Sequence, residues 1–135
     1  MITEDYVSFE IAKLLKEKGF DENTPVNYFV GDDKPRGCTV GEMIYHKRLE
    51  EDTHLIACPT LQMAMKWLRK EHNIGIFPTT FYRHTETFDG HNYGCTLVNL
   101  KTFDVIGNFE NCTFPADSYE QACEAAIMYC LENLI

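Results

Sequence analysis

Residues 74–99 read IGIFPTTFYRHTETFDGHNYGCTLVN. Both arms are rich in Ile, Phe, Tyr, Thr and Val, the side chains that fit a pleated, half-buried strand. Asp89-Gly90 between them is a strong two-residue hairpin signal, because the favoured turn needs positive φ at both central residues. The stretch therefore predicts a strand over 74–88 returning over 92–99. Pro78 lacks an N–H and is confined to a sheet edge or a kink. After a turn at 100–102, a third strand is expected over 103–109, which makes an antiparallel meander.

Helices flank this meander. Over 60–72, Thr60 is placed to cap, Leu61, Ala64, Met65 and Leu68 form one stripe, and Arg69 and Lys70 in the last turn suit the helix dipole. Over 118–133, Ser118 with Gln121 makes a capping box. Tyr119, Ala122, Cys123, Ala126, Ile127, Cys130, Leu131 and Leu134 then follow helical spacing, and the small residues among them let the helix sit close to a sheet. Near 8–18, Ser8 caps a helix with Ile11, Leu14 and Leu15 inward. Gly19 stands where a left-handed residue is wanted, and Phe20 is placed to fold back on Leu15.

Between the first two helices, 26–30 and 53–58 read as short strands and Asp32–Gly37 as a turn or exposed loop. The segment 38–45 fits a strand or a short helix equally. The expected class is α+β: a three-stranded antiparallel meander with helices packed on one face. The order is α-β-β-β-α from residue 60, preceded by an N-terminal helix and short strands. The chain has 135 residues, the size of a single domain spanning 1–135.

Composition narrows function. The chain is 44% hydrophobic with nine Phe, seven Tyr and one Trp, which argues against disorder. Twelve Lys+Arg against 21 Asp+Glu give a net charge of −9, which argues against broad binding to nucleic-acid phosphates. The same element order occurs in double-stranded-RNA-binding domains, which use a basic start to the final helix. Here Asp117, Glu120, Glu124 and Glu132 charge that helix instead. No apolar run is long enough to span a membrane, and the acidic start is no signal peptide, so a cytoplasmic location with reduced thiols is expected.

The segments 6–20, 59–73 and 118–133 resemble a group of small uncharacterised proteins encoded in Bacteroidales genomes, many in prophages or mobile elements. The resemblance covers the three helices. It implies an origin and a fold, and it brings no activity and no catalytic residues.

The sharpest catalytic candidate depends on the hairpin. With Asp89-Gly90 as its loop, Glu86 pairs with Tyr93, His84 with Cys95, and Tyr82 with Leu97. A thiol facing an imidazole is a possible nucleophile, with Glu86 to orient the ring. A four-residue loop would instead set His84 against Leu97. A half-buried sheet gives the same mix of residues without chemistry. His54 and Cys58, four apart, are too distant on a strand to share a metal. The six cysteines contain no C-x-x-C, and Cys123 and Cys130 belong to the helix core. His46-Lys47-Arg48, followed by Glu50-Glu51-Asp52, reads as a self-neutralising surface.

No metal, no organic cofactor and no ionised thiol are therefore expected. The function expected is non-catalytic: binding a protein partner or forming a homodimer, with the exposed edge Ile74-Gly75-Ile76-Phe77 as the contact.

Overall fold

The computed structural model describes residues 2–29, 36–37, 55–84, 86–87, 89–107 and 116–135. They divide into two compact units, Met1–Thr60 and Leu61–Ile135.

In the first unit, helix α1 (Phe9–Glu17) begins as its sequence dictates: the Ser8 hydroxyl accepts from the Ile11 N–H at 3.3 Å. It ends in a Schellman motif. Phe20 N–H donates to Leu15 O at 2.9 Å, Gly19 N–H donates to Lys16 O at 3.2 Å, and Gly19 takes φ +99°. Strand β1 (Val26–Phe29) lies between β2 (Arg36–Gly37) and β3 (Leu55–Ala57), all antiparallel. Arg36 and Gly37, expected in a turn or exposed loop, extend β1's pairing instead, with Asn27 opposite Arg36 and Val26 opposite Gly37. α1 packs on β3 and buries Ile11, Ala12 and Leu15. Its partner is thus this first sheet, where the sequence pattern placed all three helices on the meander. The segments 30–35 and 38–54 lie outside the described residues.

The second unit carries the expected α-β-β-β-α order: α2 (Leu61–His72), β4 (Ile74–His84), β5 (Asp89–Asn99), β6 (Val105–Gly107) and α3 (Tyr119–Asn133). The sheet is antiparallel in the order β4-β5-β6. Asn73 at φ +55° ends α2 in the left-handed conformation that Asn tolerates. Its carbonyl accepts the Leu100 N–H at 2.8 Å. α2 packs on β4 and α3 on β4 and β5, and the two helices touch each other, so both cover one face. Leu61, Ala64, Met65 and Leu68 of α2 and Ala122, Cys123, Ala126, Ile127, Cys130 and Leu131 of α3 are buried there with Ile74, Ile76, Cys95 and Leu97. Fully burying each large aliphatic among them contributes roughly 1.5–3 kcal/mol. On the far side of β5, Tyr93 forms a bridge with Ala116.

Candidate functional site

The hairpin is built differently from its turn signal. His84 stands opposite Asp89, Tyr82 opposite His91, Pro78 opposite Cys95 and Ile76 opposite Leu97. Asp89 and Gly90 belong to β5, and the connection is 85–88. The reason is burial. This register sets Ile74 and Ile76 beside Cys95 and Leu97 under the helices. The Asp-Gly turn would have put Tyr82, His84 and Glu86 in that apolar layer. The shift is an even number of residues, so every side chain keeps its expected face.

The catalytic candidates are consequently apart. Cys95 is buried, whereas His84 and Glu86 are exposed near the hairpin tip. Along β5 the position opposite His84 is six residues from Cys95, about 20 Å at strand rise. No Cys95–His84–Glu86 constellation forms.

Cys58 belongs to a buried polar clip in the first unit. Its Sγ donates to Val7 O at 3.7 Å, a carbonyl that also accepts the Tyr28 hydroxyl at 2.8 Å. Its N–H donates to Thr24 Oγ1 at 3.1 Å, and the Thr24 hydroxyl donates to Val26 O at 2.6 Å. Asn27 Nδ2 donates to Thr24 O at 2.9 Å. Burial pushes the Cys58 thiol up to about 11, opposed by its hydrogen bond with Tyr28. This is a protonated, structural thiol. His54, its sequence neighbour in the metal reading, lies outside the described residues, as does His46–Asp52. Among the described residues no group of three His, Cys, Asp or Glu is placed to hold a metal ion.

Two further thiols are buried in the second unit: Cys95 of β5 and Cys123 of α3 are both fully buried. Cys95 Sγ lies 3.3 Å from Ala122 O, the carbonyl just before Cys123. Its S–H, where it turns to Cys123, stabilises that thiolate and holds the Cys123 thiol below its usual range, against desolvation. The Tyr119 phenol, one turn earlier, acts in the same direction, and the Glu120 and Glu124 carboxylates oppose it. Tyr119 in turn accepts from Gln62 Nε2 at 3.1 Å. The sequence puts Cys95 and Cys123 on inward faces. Which β5 residue α3 covers is decided only by helix docking.

The second feature is the sheet face away from the helices. Phe77 of β4 is 51% exposed, and its ring lies over Gly75 together with the Leu100 side chain. Gly75 is opposite Val98, and Val98 is opposite Val105, which is 59% exposed. Phe77, Leu100, Val98 and Val105 thus form one apolar patch. It is bordered by Phe103, which is 78% exposed at φ +62° in the turn before β6. That turn is fixed by Asn99 Oδ1, which accepts from Lys101 N–H at 2.9 Å and Thr102 N–H at 3.3 Å. Further along this face Asn92 is buried. Among the described residues no strand pairs with the outer side of β4, so Ile74–Phe77 is an edge as the sequence reading held. Ile74 and Ile76 themselves point inward and are buried.

Among known proteins, no family model, no curated protein and no solved structure matches this chain. Among the described residues no helix is long and apolar enough to cross a membrane.

Proposed function

We infer that this protein works by binding rather than by catalysis, and that its partner is a second copy of itself. The observation that carries this reading is the apolar patch of Phe77, Val98, Leu100 and Val105 on the sheet face opposite the helices. Exposed contiguous apolar surface marks interaction sites.

A second copy is favoured by local charge. The chain as a whole carries −9, yet the turn flanking the patch carries Lys101 and Asp104, which are both exposed. In a two-fold contact residue i meets j and j meets i, so a Lys101–Asp104 ion pair between the copies would form twice. The open edge of β4 adds backbone donors and acceptors beside the same patch, and Pro78 limits how far such pairing runs.

The alternative of a thiol enzyme built on Cys95 and His84 lacks the pairing it needs. Nucleic-acid binding is opposed by charge. The resemblance of the three helices supports an accessory protein of mobile-element origin.

Carbodiimide cross-linking of a mixture of ordinary and isotope-labelled protein tests the contact. The expected product is a mixed-isotope dimer linked between Lys101 and Asp104. Links confined to single chains would contradict the two-fold reading.

A further inference from the structure

We propose that Phe103 is the anchor of the self-association, and that its ring stacks on the same ring of a second copy across the two-fold axis. This rests on the reading of the sheet face as a dimer contact, and it adds the residue that sets where the axis runs. The first observation is a misfit between Phe103 and its own backbone. Its φ is +62°, a left-handed conformation that glycine takes freely and that a bulky side chain adopts only under strain. The turn imposes that strain. Leu100 N–H donates to Asn73 O at 2.8 Å, and the Lys101 and Thr102 N–H groups both donate to Asn99 Oδ1. Phe103 N–H donates to Asn99 O at 2.7 Å, and Asp104 N–H donates to Thr102 Oγ1 at 3.3 Å. Asn99 N–H closes the turn on Asp104 O at 2.8 Å. Every N–H from Leu100 to Asp104 thus has an acceptor, and none of these bonds uses the side chain at 103.

The second observation is the exposure of that side chain. Among the described large hydrophobic residues only Ile2 is more exposed than Phe103, at 78%. The strained residue therefore gains almost nothing from its own chain. A phenyl ring held in water by a rigid turn is prepared for a contact, because little freedom is left to lose on binding. Aromatic anchors of this kind carry most of the energy at the centre of an interface. The charges of the turn select the partner. Lys101 and Asp104 are exposed and flank Phe103. A cationic or an anionic partner satisfies one of them and repels the other, whereas a second copy satisfies both. Two Lys101–Asp104 ion pairs place the axis between these residues, where Phe103 stands. A residue on the axis meets itself, so ring stacks on ring with an ion pair to either side.

Two variants of the full-length chain test this. Phe103→Asn keeps a residue that tolerates the left-handed turn and removes the ring. Its dimer should weaken by about tenfold or more in light scattering across a dilution series. Its urea midpoint, taken at a dilution where wild type and variant are both single chains, should be no lower than that of the wild type. Phe103→Cys places a thiol on the axis. Under oxidised glutathione it should give a dimer linked through position 103 of both copies, several times faster than Glu86→Cys, whose site is exposed at the hairpin tip. A wild type that dimerises and loses its dimer in Phe77→Lys, with Phe103→Asn dimerising as tightly as the wild type, overturns the anchor and leaves the sheet-face contact standing. A wild type that stays a single chain overturns both. A lower midpoint for Phe103→Asn at that dilution assigns the ring to the fold and overturns the proposal, as does a position-103 link no faster than that of Glu86→Cys.

Discussion

The ring of Phe77 lies across Gly75, so that a β carbon on residue 75 would stand 2.7 Å from Phe77 Cε2 and 3.0 Å from Leu100 Cδ2. Both obstacles are the outer ends of rotatable side chains. Gly75→Ala therefore lifts the ring instead of breaking the strand. Alanine in a strand gains about 0.5–1 kcal/mol over glycine through the unfolded state, and the displaced contacts oppose it. Urea unfolding should show a net change below about 1 kcal/mol, while self-association weakens several-fold. A large loss of stability would mean that the ring cannot move.

Helix α3 gives two graded predictions. Ser118 Oγ accepts the Gln121 N–H at 3.1 Å, and Gln121 Oε1 accepts the Asp117 N–H at 3.1 Å, one residue before the cap. Ser118→Ala should cost about 1 kcal/mol in denaturant unfolding. Ala126 is fully buried, and Ala126→Leu should overpack the helix–sheet contact at a cost of about 1–3 kcal/mol. An unchanged midpoint for Ala126→Leu would contradict the packing of this face.

Cys58 links stability to alkaline pH. Burial raises its pKa from 9.0 to about 11, so between these values the folded chain keeps a proton that the unfolded chain loses. The stabilisation is complete below pH 9 and falls as pH rises through 11, by about 3 kcal/mol in all. Cys58→Ala removes this component. The stability difference between the wild type and Cys58→Ala should therefore narrow as pH rises from 8 to 11. A difference that stays constant would place Cys58 in a wetter site.

Much of this fold is legible where one local rule acts alone. The Ser8 cap, the Gly19–Phe20 ending, the Ser118 cap and the buried stripe of α3 all follow from residues a few positions apart. The hairpin register is not legible in the same way. There a turn signal at Asp89-Gly90 competes with burial of Ile74, Ile76 and Leu97, and the long-range apolar layer wins. That outcome separates His84 from Cys95. The contact of Cys95 with the Ala122 carbonyl of α3 was beyond reach for a related reason. Periodicity turns both residues inward, but the placement of α3 on β5 decides which residues meet. The open patch had a partial signal: Phe77 alternates out of step with Ile74 and Ile76, so the pattern alone turns it away from the core.

The most direct measurement is light scattering at micromolar concentration on the wild type and on Phe77→Lys, which places a charge in the centre of the patch. The wild type should give twice the chain mass of 15.6 kDa, and the variant, folded by circular dichroism, should return to one chain mass. A wild type that stays at a single chain mass, or a Phe77→Lys variant that remains fully dimeric, would contradict self-association through this face.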